Sequence, residues 1–141
     1  MYESVVTITG NVSRDPELRF TPSGVAVASL AVAVNHRRKE KGTDEWIEQV
    51  SFYDVTCWNQ LAENVSESIM KGARVTVVGR MEQQNWETPD GDKRSKLVVI
   101  AEEVAASLKW ATCEISRNER GDSVAAPPAR KKAADYSQEP F

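Results

Sequence analysis

Hydrophobic and polar residues alternate over long stretches of this chain, as they do in strands that pack one face against a core. In residues 25–35, every second residue from Ala26 to Val34 is apolar. The opposite row is mostly valine, alanine and serine, small enough for another backbone or a ligand to approach. Alternation of this kind predicts strands over residues 4–12, 17–20, 25–35, 46–58, 74–86, 95–105 and 108–115.

Glycine and proline interrupt the first apolar row at informative places. Gly10 breaks the row, and a lone glycine inside a strand usually marks a bulge or a tight barrel corner. Asp15-Pro16 and the Thr21-Pro22-Ser23-Gly24 stretch have the composition of turns. The beginning of the chain therefore predicts a small, strongly curved antiparallel barrel.

Residues 60–70 have a different period, with Leu61, Val65 and Ile69 on one side, which predicts a helix. Gly72 stands where a C-terminal cap belongs. Two charged hairpin tips are predicted, one at 36–45 and one around the turn residues 87–92. After Ile115 large apolar residues become rare, which predicts a flexible tail over 116–141 and a folded domain over 1–115.

The composition limits the class of protein. A chain of 141 residues, 40% of them hydrophobic, fits one domain with spare length. There is no run of about 20 apolar residues and no signal-peptide pattern, so no membrane span is expected. The two cysteines, Cys57 and Cys113, are expected to be reduced, buried thiols in the cytoplasm.

The sequence offers little for catalysis. His36 is the single histidine, no Cys-x-x-Cys occurs, and the carboxylates are scattered. No cofactor, metal site or enzymatic activity is predicted. The net charge of −3 does not exclude a nucleic-acid binder, because the basic residues are clustered and the distribution of charge decides.

Residues 10–24 follow the pattern G-N-x-x-x-D-P-E-L-R-x-T-x-x-G, and further matches occur at Leu61-Ala62-Glu63-Asn64, Lys71-Gly72-Ala73-Arg74-Val75 and Val78-Gly79-Arg80. In these motifs the chain resembles bacterial single-stranded DNA-binding proteins, in collinear order over roughly four-fifths of its length. The resemblance implies an OB-fold, a five-stranded Greek-key barrel with one helix between strands three and four. It also implies that 108–115 is an extra C-terminal strand, like one that clamps neighbouring subunits in some members.

A protein that binds single strands needs aromatic rings for stacking bases and cations for the phosphates. By the resemblance, Phe52, Trp58 and Trp86 fall on positions where the family stacks bases. Trp46 has no such match and is a further candidate. The alternative for each is an ordinary core aromatic.

The candidate phosphate contacts are the basic residues of the two hairpins, the helix exit and the fourth strand: Arg37, Arg38, Lys39, Lys41, Lys71, Arg74, Arg80, Lys93, Arg94 and Lys96. Arg38, Lys41 and Lys71 match family positions that contact DNA, although an aromatic is common at the position of Arg38. The alternative is a solvated charged surface. Glu82-Gln83-Gln84-Asn85 and Gln60 stand where the family is often basic, which predicts weaker phosphate attraction and a shallower salt dependence.

The chain ends in Pro140-Phe141, as family members do, where the tip docks on replication, recombination and repair enzymes. Asp135 and Glu139 are the acids near this tip, and residues 116–141 hold five basic and four acidic side chains. Such a short, non-acidic tail resembles that of accessory copies in bacteria that carry two of these proteins. The tip is therefore a candidate partner site, and the alternative is a chance Pro-Phe ending.

The resemblance implies sequence-independent binding and protection of single-stranded DNA in replication, recombination and repair, by a homotetramer associated with the nucleoid. An OB-fold adaptor that mainly binds proteins is the second hypothesis. A nuclease is the third, disfavoured because no metal or nucleophile constellation is visible.

Overall fold

The computed structural model describes residues 3–119. In chain order its elements are β1 (Val5–Val12), β2 (Glu17–Phe20), β3 (Ala26–Lys39), β4 (Trp46–Trp58), α1 (Asn59–Ser68), β5 (Arg74–Glu87) and β6 (Lys93–Ala106). Within this part of the chain, no helix is long and apolar enough to cross a membrane.

The strands form one sheet that closes on itself. Its order is β1-β5-β6-β4-β3-β2, and β1 also pairs with β3, which joins the two ends. Most neighbours are antiparallel, while β4 and β6 run parallel, with Val55 opposite Val99. The barrel therefore consists of β1, β3, β4, β6 and β5 in spatial order. Along the chain, α1 lies between β4 and β5, which are the third and fourth barrel strands in sequence. This is the predicted OB-fold.

The inward rows of the strands fill the barrel with aliphatic side chains. Leu30 and Val32 of β3, Val55 of β4 and Val77 of β5 are essentially inaccessible to solvent. The helix adds its apolar side to this core through Ala62 and Val65. Complete burial of such a side chain contributes about 1.5–3 kcal/mol, so the core holds the strands in one register.

Gly10 is a barrel corner, as predicted. Along β1 the pairing passes from β5, where Gly10 faces Val75, to β3, where Asn11 faces Ala33. A Cβ atom added to Gly10 would overlap the carbonyl oxygen of Ala33. The glycine therefore lets two backbones approach where the strand changes partners.

Two boundaries differ from the prediction. β3 continues through Lys39, which pairs with Trp46, so residues 36–39 belong to a long hairpin ladder rather than to its tip. The helix ends at Ser68 and its C-terminal cap is Ile69. Gly72 lies in the following turn with φ +93°, and its N–H donates to the carbonyl of Val12 at 2.8 Å.

The prediction of a strand over residues 108–115 is wrong for the part of the chain that the structure describes. Ser107 still donates its N–H to the carbonyl of Arg74, but residues 107–119 form no strand. A strand needs a neighbouring edge for its backbone hydrogen bonds, and no edge within residues 3–119 pairs with this segment. The additional strand in the structure is instead β2, which pairs with β3.

Candidate functional site

The predicted aromatic residues of β4 lie on its outward face. Val55 and Cys57 point into the core, so the even-numbered residues point out. Trp46, Phe52 and Trp58 are 64%, 68% and 41% exposed. The interpretation of these three as core aromatics is therefore wrong, and each ring has a face available to a ligand.

Trp86 is also accessible, near the end of β5, with 46% of its surface exposed. It lies directly opposite Arg94 of β6, and Gln84 lies opposite Lys96. Side chains of directly opposed residues share one face of a sheet. The hairpin of β5 and β6 therefore presents an aromatic ring and two cations on the same side.

A cleft joins Trp58 to Trp86 across the outer surface of the barrel. One cavity of about 320 Å³ is lined by Trp58, and a second of about 780 Å³ is lined by Trp86. Arg19, Gln84 and Lys96 line both cavities and connect them. We call this connected space the cleft.

The floor and rim of the cleft differ in chemistry. Val27, Leu30, Val55 and Val98 contribute to the lining of the smaller cavity and are almost completely buried. Polar side chains of Ser29, Asp54, Thr56 and Gln84 complete this cavity. An apolar floor beside an indole, with polar groups around it, suits a flat heteroaromatic ring.

Two arginines in the cleft were missed by the sequence prediction. Arg14 and Arg19 come from the signature stretch, for which the sequence indicates no specific contact. β2 pairs with β3 so that Arg19 faces Val27, and Val27 in turn faces Trp58 across β3 and β4. The alternation of Glu17, Leu18 and Arg19 is visible in the sequence, but the register that aligns Arg19 with Trp58 is not.

Asp54 is an acidic side chain that lines the smaller cavity of the cleft. Its Oδ1 lies 3.9 Å from Nη2 of Arg14, and its Oδ2 lies 3.9 Å from Nζ of Lys96. All three side chains are about half exposed. A second acid, Glu82, lines the larger cavity and pairs with Arg80 at 2.9 Å.

The cations of the first hairpin are divided between its two faces. Arg37 and Lys39 lie opposite Glu48 and Trp46, on the aromatic face, whereas Arg38 lies opposite Ile47, on the other face. Arg37 pairs with Glu48 at 3.1 Å and Lys39 with Asp44 at 3.2 Å. Lys41 lies in the turn between the strands.

The remaining predicted cations have different surroundings. The backbone N–H of Lys71 donates to the carboxylate of Asp15 at 2.7 Å, in the turn after α1. The guanidinium of Arg74 lies 4.7 Å from the ring centre of Trp110. Neither of them lines the cleft. Lys93 and Arg94 line a third cavity of about 360 Å³, which continues past Trp86.

Cys57 is buried in the core as predicted, whereas Cys113 is exposed, so the prediction of a buried thiol is wrong there. Burial raises the pKa of the Cys57 thiol to about 12, so this thiol is protonated at neutral pH. Within residues 3–119, no three His, Cys, Asp or Glu side chains are grouped so that they could hold a metal ion. Asp135, Glu139, Pro140 and Phe141 lie outside the described residues.

Comparison with known proteins gives a consistent result. The sequence profile of the single-strand binding protein family matches residues 4–107. A single-stranded DNA-binding protein of Corynebacterium glutamicum is 46% identical over 117 residues, which are 82% of this chain and 52% of that protein. The Mycobacterium tuberculosis protein of the same name is 40% identical over 137 residues, 94% of this chain and 84% of that protein.

Among solved structures, one described as Plasmodium falciparum SSB complex with ssDNA superposes with a TM-score of 0.71. The superposition covers 76% of this chain and 97% of that chain, at 18% identity. This likeness supports the barrel fold. The matched part of the chain spans about half the length of the Corynebacterium relative.

Proposed function

The chain belongs to the single-strand binding protein family, and from this premise we propose that it binds single-stranded DNA in the cleft, independently of sequence. Bases stack on Trp58 and Trp86, while Arg19 and Lys96 neutralise the phosphates between them. The family is not enzymatic, as the sequence predicted.

The observation that supports this proposal best is the placement of the two indoles at the ends of one cleft. Arg19 and Lys96 line both of its cavities, so the cations lie between the rings. Stacking tolerates every base because every base has a π face, and phosphates recur at every nucleotide. This arrangement therefore binds a strand without reading its sequence.

In this proposal, the DNA strand continues beyond the cleft in both directions. Phe52 lies six residues before Trp58 on the same face of β4, about 20 Å away at the rise of a strand. Further along the same ladder, Arg37 lies opposite Glu48 and Lys39 lies opposite Trp46. At the other end, Lys93 and Arg94 extend the track past Trp86. In this proposal, the remaining basic residues contact phosphates outside the cleft: Arg38, Lys41, Lys71, Arg74 and Arg80.

Titration with oligo-dT of graded length tests the function. Stacking on Trp58 and Trp86 should quench the intrinsic tryptophan fluorescence strongly, and the doubly substituted W58A/W86A protein should lose most of the quenching. Phe20→Ala is the control and should keep the quenching, because Phe20 is an exposed aromatic residue that lines neither cavity of the cleft. A protein-binding adaptor would show little quenching, and cleavage of labelled DNA in magnesium would indicate a nuclease.

We infer further that the protein acts as a homotetramer. The segment 107–119 exposes Leu108, Trp110 and Ile115 to solvent in the single chain. Large apolar side chains clustered on one exposed segment favour contact with another protein surface. Light scattering should give four times the chain mass of 15.7 kDa, and a monomeric mass would contradict the assembly without affecting DNA binding.

In this proposal, residues 116–141 form a tail whose tip recruits enzymes of replication, recombination and repair in the bacterial cytoplasm, at the nucleoid. Pro140 and Phe141 supply the ring and the terminal carboxylate, and Asp135 and Glu139 the nearby charge. Deletion of Pro140-Phe141 should weaken binding to a tail-binding helicase or exonuclease. Unchanged affinity would refute the docking role.

A further inference from the structure

We propose that Asp54 is an internal competitor for DNA phosphates in the smaller cavity of the cleft. Its carboxylate holds Arg14 and Lys96 in the free protein, and a phosphate must take its place. This inference rests on the proposed function, and it concerns how tightly and how reversibly the cleft binds.

The geometry places the carboxylate between the two cations. Asp54 lies on the outward face of β4, four residues before Trp58 on the same row, so it shares the surface on which the strand is expected to lie. One oxygen faces Arg14 and the other faces Lys96, each at 3.9 Å. The single carboxylate therefore reduces the positive potential of both cations.

The two ion pairs are weak enough to be exchanged. Each N–O distance is at the long end for an ion pair, and each side chain is about half exposed, so solvent screens the attraction. A phosphate oxygen can accept hydrogen bonds from either cation in the same way. Binding of DNA thus exchanges one anion for another instead of filling an empty cationic site.

The charge of Asp54 also acts after the exchange. The charged side chains that line the two cavities are Arg14, Arg19 and Lys96, against Asp54 and Glu82. At about 0.1 M salt, charges interact over about 10 Å, so a phosphate held by Arg14 or Lys96 remains within reach of the carboxylate. Repulsion of this kind speeds release of the strand.

A positioning role for the same carboxylate makes the opposite prediction. If Asp54 oriented Arg14 and Lys96 for DNA, removal of its charge would weaken binding. If Asp54 competes with DNA, the same change strengthens binding. The substitution Asp54→Asn separates the two because it keeps the shape of the side chain while removing the charge.

The experiment measures the dissociation constant of the full chain for oligo-dT between about 50 and about 200 mM salt. Asp54→Asn should bind about 3- to 10-fold more tightly at the low-salt end. The slope of log affinity against log salt should steepen by about 0.7, because the site of Arg14 and Lys96 then carries one more net positive charge towards a single strand.

The matched control is Glu103→Gln, which makes the same change in net charge at an exposed position of β6, opposite Val78 and outside the cleft. Glu103→Gln should change neither the affinity for oligo-dT nor the salt slope by much. Unchanged or weaker binding by Asp54→Asn, while the unsubstituted chain binds normally, would overturn the inference and leave the proposed function intact. Absence of binding by all three proteins would instead refute the function.

Thermal unfolding verifies that each variant is folded. Should Asp54→Asn be unfolded, Asp54→Ser provides the same test, because it also removes the charge. Its binding must then be tighter, with a steeper salt slope, for the inference to stand.

Discussion

Trp86 of β5 and Arg94 of β6 lie directly opposite each other across the second hairpin. Two residues further along the ladder, Gln84 of β5 lies opposite a second cation, Lys96. An aromatic ring and a cation therefore lie at the same level on adjacent strands. In the proposed binding mode, a nucleotide whose base stacks on the indole would have its phosphate near the cation.

Substitution of the indoles tests their contribution. Trp86→Ala and Trp58→Ala should each cost about 1–3 kcal/mol of binding to oligo-dT, which is roughly a 5- to 150-fold loss of affinity. Phe20→Ala should change the affinity little, because Phe20 is exposed and lines neither cavity of the cleft. Fluorescence anisotropy of a labelled oligonucleotide measures all three variants independently of the tryptophan signal. A loss of affinity for Phe20→Ala as large as that for Trp86→Ala would contradict binding of DNA in the cleft.

Arg19 is expected to contact a phosphate, since it lines both cavities of the cleft. Arg19→Gln should weaken binding to every oligonucleotide sequence alike and reduce the salt slope by about 0.7. Lys109→Gln removes the same charge outside the cleft, beside Trp110, and should leave the slope nearly unchanged. Equal slopes for Arg19→Gln and the unsubstituted chain would exclude a phosphate contact.

The contrast between Arg19 and Trp58 shows what sequence reasoning reached and what it did not. Alternation along residues 46–58 puts Trp58 on the face opposite Val55 and Cys57, and the structure shows that this face is the outer one. The position of Arg19 in the cleft follows from the pairing of β2 with β3. That pairing depends on how the whole barrel closes. Local patterns determine the face of a strand, while long-range register determines which faces meet.

The segment after β6 illustrates a second limit. Residues 108–115 alternate like a strand, yet they lie without a paired edge in residues 3–119. Propensity alone does not form a strand, because its N–H and C=O groups need partners. The predicted domain boundary at residue 115 stays a prediction, whereas the last barrel strand ends at Ala106.

The close approach of β1 and β3 predicts a large effect at Gly10. Gly10→Ala should destabilise the protein by about 3 kcal/mol, because the new methyl group overlaps the Ala33 carbonyl and the strands must separate. Gly42→Asn is the control, since Gly42 has φ +91° and open space around it; asparagine tolerates positive φ, and the cost should stay within about 1 kcal/mol. Urea unfolding measures both, and a smaller effect at Gly10 than at Gly42 would contradict the corner.

The two cysteines should react very differently with alkylating reagents. Burial raises the pKa of the Cys57 thiol from 9.0 to about 12, whereas Cys113 is exposed. At pH 8, iodoacetamide should therefore label only Cys113 in the native protein and both residues after unfolding. Mass spectrometry of labelled peptides distinguishes the two sites, and rapid native labelling of Cys57 would show that the core opens.

The same pKa shift gives a pH dependence of stability. Between pH 9.0 and about 12, the unfolded chain loses the Cys57 proton while the folded chain keeps it, so the free energy of unfolding falls as pH rises through this window. Below pH 9.0 this contribution is constant. Cys57→Ala removes the contribution of this thiol to the pH dependence. Chemical unfolding of both proteins at pH 8 and pH 10 measures how much further the free energy of unfolding falls in the unsubstituted protein.

The pairing of Val5 with Arg80 has a consequence for synthesis of the chain. These partners are separated by 75 residues. At a translation rate of 5–20 residues per second, β5 is therefore synthesised roughly 4 to 15 s after β1. During that interval the nascent chain exposes an unpaired edge rich in valine, a target for chaperones or for β1 of another nascent chain. Ribosome pausing ahead of β5 should therefore lower the yield of folded protein more than an equal pause after β6.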